Sequence, residues 1–129
     1  MRMYKRGEIY LASLGEGIGS EQKGERPVLI VQNDKGNRYS PTVTVVPITT
    51  KIHKSYGMPT HVRLGKNCGL EKESAAMTEQ ITTIDKSKLG QYVGCVANRI
   101  MITAVNRAMR IQLGMIGTKK GRIRDHAGA

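Results

Sequence analysis

Two apolar, β-branched runs, Val28 to Val31 and Thr42 to Ile48, leave this chain few folds to choose from. The first is unbroken, which suits a strand covered on both faces better than a surface strand with one wet side. Pro27 is expected to open it, because proline cannot donate to a ladder. Between the runs, Asn33-Asp34-Lys35-Gly36-Asn37 reads as a turn built from residue types that accept left-handed backbone angles. Arg26 and Thr49 therefore fall at the outer ends of two core strands.

Further strands are expected around this pair. Glu8 to Leu14 alternates at period two, Thr60 to Leu64 is a short strand, Ser74 to Ile84 reads as one polar strand, and Gln91 to Ala97 as the last. Six or so short strands at this spacing suggest a compact barrel. The loop from Gly15 to Gly24 is long for a small β domain and so is a candidate functional lid. It is not a nucleotide-binding loop: Ser20 stands where the third glycine of Gly-x-Gly-x-x-Gly belongs, and no Gly-Lys-Ser/Thr follows. Asn98 can cap a helix whose apolar positions are Met101, Val105, Ala108 or Met109, Ile111 or Gln112, and Met115. Residues 1–116 form one domain in this reading. Residues 117–129 are a basic tail whose composition predicts disorder.

Charge narrows the partner. Lys and Arg number 21 against 10 Asp and Glu, a net charge of +11 on 129 residues, and such an excess points to a polyanion, with nucleic acid first. There are five Tyr and no Trp or Phe, so a platform that stacks several bases is poorly supported. No apolar leader and no run long enough to span a bilayer is present, so the expectation is a cytoplasmic protein without membrane contact. Cys68 and Cys95 lack a Cys-x-x-Cys spacing and are expected as free thiols. Met58, Met77, Met101, Met109 and Met115 are expected to fill core gaps left by the missing large aromatics.

Histidine is the side chain that titrates nearest neutrality, which makes His53 and His61 the acid and base that side-chain chemistry alone would nominate. Their settings favour other roles. His53 sits in a basic loop with Lys51, Lys54 and Tyr56, and His61 in a strand pattern, as a structural or nucleic-acid-facing residue. The cysteines and histidines match no zinc spacing, and no paired acidic ligands for magnesium lie near Arg26, so neither metal nor cofactor is expected. On residue type alone, Arg26 reads as a solvated charge at a strand end and Thr49 as a strand-terminal β-former.

The stretches KRGEIYLASL (5–14), GSEQKGERPVLIVQND (19–34), GNRYSPTVTVVPIT (36–49), MPTHV (58–62), EQITTIDKSKL (79–89) and AMRIQLG (108–114) together resemble the MazF (PemK, Kid) family of toxin endoribonucleases from bacterial toxin-antitoxin systems. The resemblance implies a mainly β fold, a small SH3-like barrel of the PemK/CcdB toxin type with a C-terminal α-helix. It implies metal-independent, sequence-specific cleavage of single-stranded mRNA by 2'-hydroxyl attack, leaving a 2',3'-cyclic phosphate (or 3'-phosphate) and a 5'-hydroxyl. The family's essential arginine and threonine fall on Arg26 and Thr49. Contact with RNA is expected from Ser20, Glu21, Gln22, Lys51, His53, Tyr56, His61, Glu79 and Gln80, with Glu21 and Glu79 accepting from base amino groups because a carboxylate repels phosphate. Implied partners are a cognate antitoxin and a second copy in a homodimer. Two competing readings are a non-enzymatic, gyrase-binding toxin of the CcdB type, which resembles a Trp-Gly-Ile ending this tryptophan-free chain lacks, and an inactive RNA-binding relative.

Overall fold

The computed structural model describes residues 3–15 and 24–118. Among them the chain forms β1 (Glu8–Ser13), β2 (Glu25–Ile30), α1 (Asp34–Tyr39), β3 (Thr42–Thr49), β4 (His61–Leu64), β5 (Ser74–Met77), β6 (Thr82–Asp85), β7 (Leu89–Cys95) and α2 (Arg99–Gln112). The antiparallel sheet runs β4-β5-β3-β2-β1-β7, with β6 also paired to β3.

β3 is the hub. One edge takes β2; the other takes β6 along Thr42 to Val45 and β5 at Ile48 and Thr49. Sharing that edge requires two partners, so the single polar strand expected over Ser74 to Ile84 is in fact β5 and β6, divided by a 3-10 turn at Thr78–Gln80. Thr78 makes the break. It is fully buried, and its hydroxyl lies 2.7 Å from the Thr60 carbonyl oxygen and 3.3 Å from that of Ala108, which pins the chain between the approach to β4 and α2. β5 itself is buried throughout rather than polar.

Two local expectations also give way. Pro27 lies inside β2, opposite Leu11 of β1. The Ile30 carbonyl faces β1, where it accepts from Gly7, and the Val31 N–H faces β3, where it donates to Thr44. Odd-numbered residues of β2 thus turn their backbone groups toward β3, and the recorded β2–β3 ladder starts only at Val28, so the donor that proline lacks is not missed. The turn expected over Asn33 to Asn37 is helix α1. The Asn33 side chain accepts from the Gly36 N–H at 2.8 Å as its N-cap, and no non-glycine residue described has a positive φ. Residues chosen as turn formers work here as cap formers, and Pro41 follows the short helix.

The sheet does not close into a barrel by strand pairing. β4 and β7 remain its edges, and the backbone after the 3-10 turn Lys66–Cys68 comes into tight contact with β7 instead, Cys68 and Gly69 against Val93 and Gly94. One apolar cluster, including Ile9, Leu29, Val46, Ile48, Val62 and Leu64, packs against Val105 and Ala108 of α2; the other gathers Tyr10, Ala12, Val28, Ile30, Val43 and Val45. The Asn98 cap is as expected, its Oδ1 accepting from Ile100 and Met101 at 2.7 and 3.2 Å. Arg6 ties α2 to the sheet, donating from Nε to the Val31 carbonyl and from Nη2 to Asn106. Its backbone N–H donates to Asp34, which with the Asn37 amide holds that carboxyl below the usual range. Met77 fills the core and Met101 and Met109 border it, but Met58 and Met115 are exposed, so those two fill no gap. Both cysteines are free thiols, and burial pushes the Cys68 thiol up. No helix among the described residues is long and apolar enough to cross a membrane.

Candidate active site at the ends of β2 and β3

The β2–β3 register pairs Val28 with Pro47, Leu29 with Val46 and Ile30 with Val45. Carried two residues outward, it sets Arg26 opposite Thr49. Directly opposed residues of an antiparallel pair share a face, so both side chains belong to the face of Val28 and Val45. The strands expected from the sequence thus bring together the arginine and threonine that it nominated.

Their environments suit anion binding. Arg26 is half-buried, and its Nε is closed to water with no hydrogen-bond partner among the described residues. A buried donor left unmade carries a desolvation cost of roughly 1–3 kcal/mol, more for a charged group, and such a group in a native fold calls for an explanation. Thr49 is 6% exposed, and its Oγ1 accepts from the Lys51 backbone N–H at 3.0 Å. That bond occupies a lone pair and leaves the hydroxyl proton to be given to another acceptor. A cationic fork and an oriented hydroxyl at facing strand ends are donors of the kind that can hold a phosphate.

The other nominated residues fall into three groups. Ser20, Glu21 and Gln22 lie outside the described residues. Lys51, His53 and Tyr56 are exposed on and beside the 3-10 turn Ile52–Ser55, Tyr56 at 95%. His61 and Glu79 are joined: His61 Nε2 lies 2.7 Å from Glu79 Oε2, and the histidine side chain is only 5% exposed. Its Nδ1 lies 2.7 Å from Ser55 Oγ, and Thr60 donates to Glu79 Oε1 at 2.9 Å. Gln80 follows, half-buried, at the end of the Thr78–Gln80 turn.

Sequence reasoning missed Ser55, Thr60 and Arg63. Ser55 and Thr60 gave no signal, because their partners are six and nineteen residues away in the chain. Arg63 did give one: period two along β4 from His61 puts it on the same face. A cleft of about 510 Å³ between the turn and β4 is lined by Ile52, His53, Ser55, Tyr56, Gly57, His61 and Arg63.

Residues 5–113 match the family described as PemK-like, MazF-like toxin of type II toxin-antitoxin system. Endoribonuclease MazF of Staphylococcus saprophyticus is 46% identical over 114 residues, 88% of this chain and 93% of that protein. Endoribonuclease EndoA of Bacillus subtilis is 45% identical over 113 residues, covering 87% and 96% of the two chains. Among solved structures, an endoribonuclease in complex with its cognate antitoxin from Mycobacterial species superposes with a TM-score of 0.69 at 31% identity, covering 88% of this chain and 96% of that one.

Proposed function

The chain belongs to the PemK-like, MazF-like toxins of type II toxin-antitoxin systems and is an endoribonuclease of that kind, and from this premise we propose that it cuts single-stranded mRNA at a phosphate held by Arg26 and Thr49. The observation that carries the assignment is the buried Nε of Arg26, without a partner among the described residues, on the face it shares with the Thr49 hydroxyl. The ribose 2'-oxygen attacks the adjacent phosphorus and loses its proton, the 2'-O–P bond forms, and the bond to the 5'-oxygen breaks as that oxygen takes up a proton. The products are a 2',3'-cyclic phosphate and a 5'-hydroxyl. No protein nucleophile is needed; charge gathering on the non-bridging oxygens is met by the guanidinium fork and the threonine hydroxyl.

Base reading falls to Ser20, Glu21 and Gln22 of the long loop and to Glu79 and Gln80. Each Glu79 oxygen has one hydrogen-bond neighbour among the described residues and keeps lone-pair capacity for an amino group of a base. A net charge of +11 draws RNA in, and draws equally a flexible acidic antitoxin segment lying over the loops at 15–25 and 51–59.

Incubation of the purified protein with a long unstructured RNA in EDTA tests this reading. Cleavage with 5'-hydroxyl ends is expected, suppressed by the antitoxin in competition with an uncleavable RNA. Loss of activity in EDTA, or equal cutting of all-deoxy substrate, contradicts it. A homodimer is also proposed, with RNA across its interface, since Ile100, Leu113 and Met115 on and just beyond α2 expose apolar surface that a second copy would cover. Light scattering that returned a monomer at micromolar concentration would refute the dimer.

A further inference from the structure

The row that holds Arg26 and Thr49 continues past them. Thr49 of β3 pairs with Ala75 of β5, and Ala75 pairs with Arg63 of β4, so Arg26, Thr49, Ala75 and Arg63 occupy successive positions across four strands on one face. At about 4.8 Å per strand, the two arginines stand about 14 Å apart along the row. Between them the 3-10 turn Ile52–Ser55 packs against β4 and β5, held down where Ser55 meets His61. The cleft beside this turn is lined by Arg63 together with Tyr56 and His53.

We infer that this cleft is a nucleotide subsite flanking the cleaved bond, in which Arg63 binds the phosphate of an RNA residue whose base lies against Tyr56. This rests on the scissile phosphate sitting at Arg26 and Thr49. Arg63 is available for the task. Its contact with Glu73 is 3.7 Å, and both side chains are more than half exposed, an arrangement whose net worth in water is small and which a phosphate can replace. Tyr56 presents a ring 95% exposed, and a base stacks on such a ring whatever its sequence. The floor is rigid: His61 is nearly buried with both ring nitrogens engaged, so it acts by holding the turn and Glu79 in place rather than by touching RNA.

The test is equilibrium binding of an RNA carrying a single 2'-deoxy residue at the cleaved position, with Arg63→Ala and Arg63→Lys compared with wild type over a salt series. Arg63→Ala should weaken binding about tenfold and reduce the salt slope by about one, while its melting temperature stays at the wild-type level. Arg63→Lys should recover part of the affinity. A neutral methylphosphonate walked through the linkages beside the cleaved bond should weaken wild type at one position and leave Arg63→Ala unaffected there. An unchanged Kd and salt slope for Arg63→Ala overturn the inference, as does a methylphosphonate penalty that adds in full to Arg63→Ala at every linkage. An Arg26→Ala protein that still cut RNA would sink the active-site reading instead, and the binding cycle would distinguish that failure from this one.

Discussion

Arg26→Ala should fold normally and cleave RNA at a rate on the order of 10² to 10³ lower in kcat, equivalent to roughly 2.7–4 kcal/mol of lost transition-state stabilisation. The size follows from the site. In the proposed mechanism the guanidinium meets charge that develops on the phosphate oxygens as phosphorus becomes five-coordinate, in a place where one of its nitrogens is already shut away from water. Stability should not fall with activity, because alanine removes a buried donor that makes no hydrogen bond within the described fold. Arg26→Lys should recover little, since an ammonium cannot reproduce a planar two-pronged contact. Thr49→Ala should lose activity on a similar scale, and should also cost about 1 kcal/mol of stability by depriving the Lys51 N–H of its acceptor. Single-turnover cleavage alongside thermal melting checks both parts: a folded Arg26→Ala protein with near-normal cleavage removes Arg26 from the mechanism.

The second large effect concerns folding. Gly94→Ala should lower the melting temperature by roughly 10 °C, from an overpacking cost of about 3 kcal/mol. A Cβ on Gly94 would overlap the Cys68 carbonyl oxygen, with the Cys68 carbonyl carbon and the Gly69 Cα both inside 3.0 Å. These are backbone atoms, so no rotamer change relieves the overlap; the turn after Cys68 has to move off β7. Gly69 is held there too, at φ +93°, where a side chain is strained and its own Cβ would strike the Val93 carbonyl. This contact bridges two edges of the sheet that no ladder joins, so its loss should loosen the whole domain rather than fray an end. Gly90→Ala in the same strand is the control. Its added Cβ meets nothing nearer than the Leu11 carbonyl oxygen at 3.5 Å, an ordinary contact, and its melting temperature should stay within a few degrees of wild type. Equal tolerance of both substitutions would show that the turn is free to shift.

Much of the candidate site is legible in the sequence because it depends on local pattern. The β-branched runs specify β2 and β3, period two decides which residues share a face, and residues at the ends of adjacent strands become neighbours whatever the rest of the chain does. The Asn98 cap and the buried stripe of α2 are local in the same sense, since both depend on spacings within one or two helical turns.

What only the tertiary structure decided depends on contacts between residues distant in the chain. The Ser74 to Ile84 stretch holds no Gly, Pro, Asn or Asp to mark a break; the break exists because the Thr78 hydroxyl is claimed by carbonyls 18 residues before it and 30 after it. His61 had the chemistry of an acid or base and the pattern of a strand residue, and its environment is set by Ser55 and by Glu79 from another turn. The tight approach of Gly94 to Cys68, and the row that carries the anion-binding face on to Arg63, likewise arise where separate segments meet. Residue order determined which strands form and which face Arg26 and Thr49 share, because neighbouring residues set backbone angles and alternation. Which strands lie side by side, and therefore what surrounds that pair, was decided by burying the sheet's two apolar faces together, a condition met only by the chain as a whole.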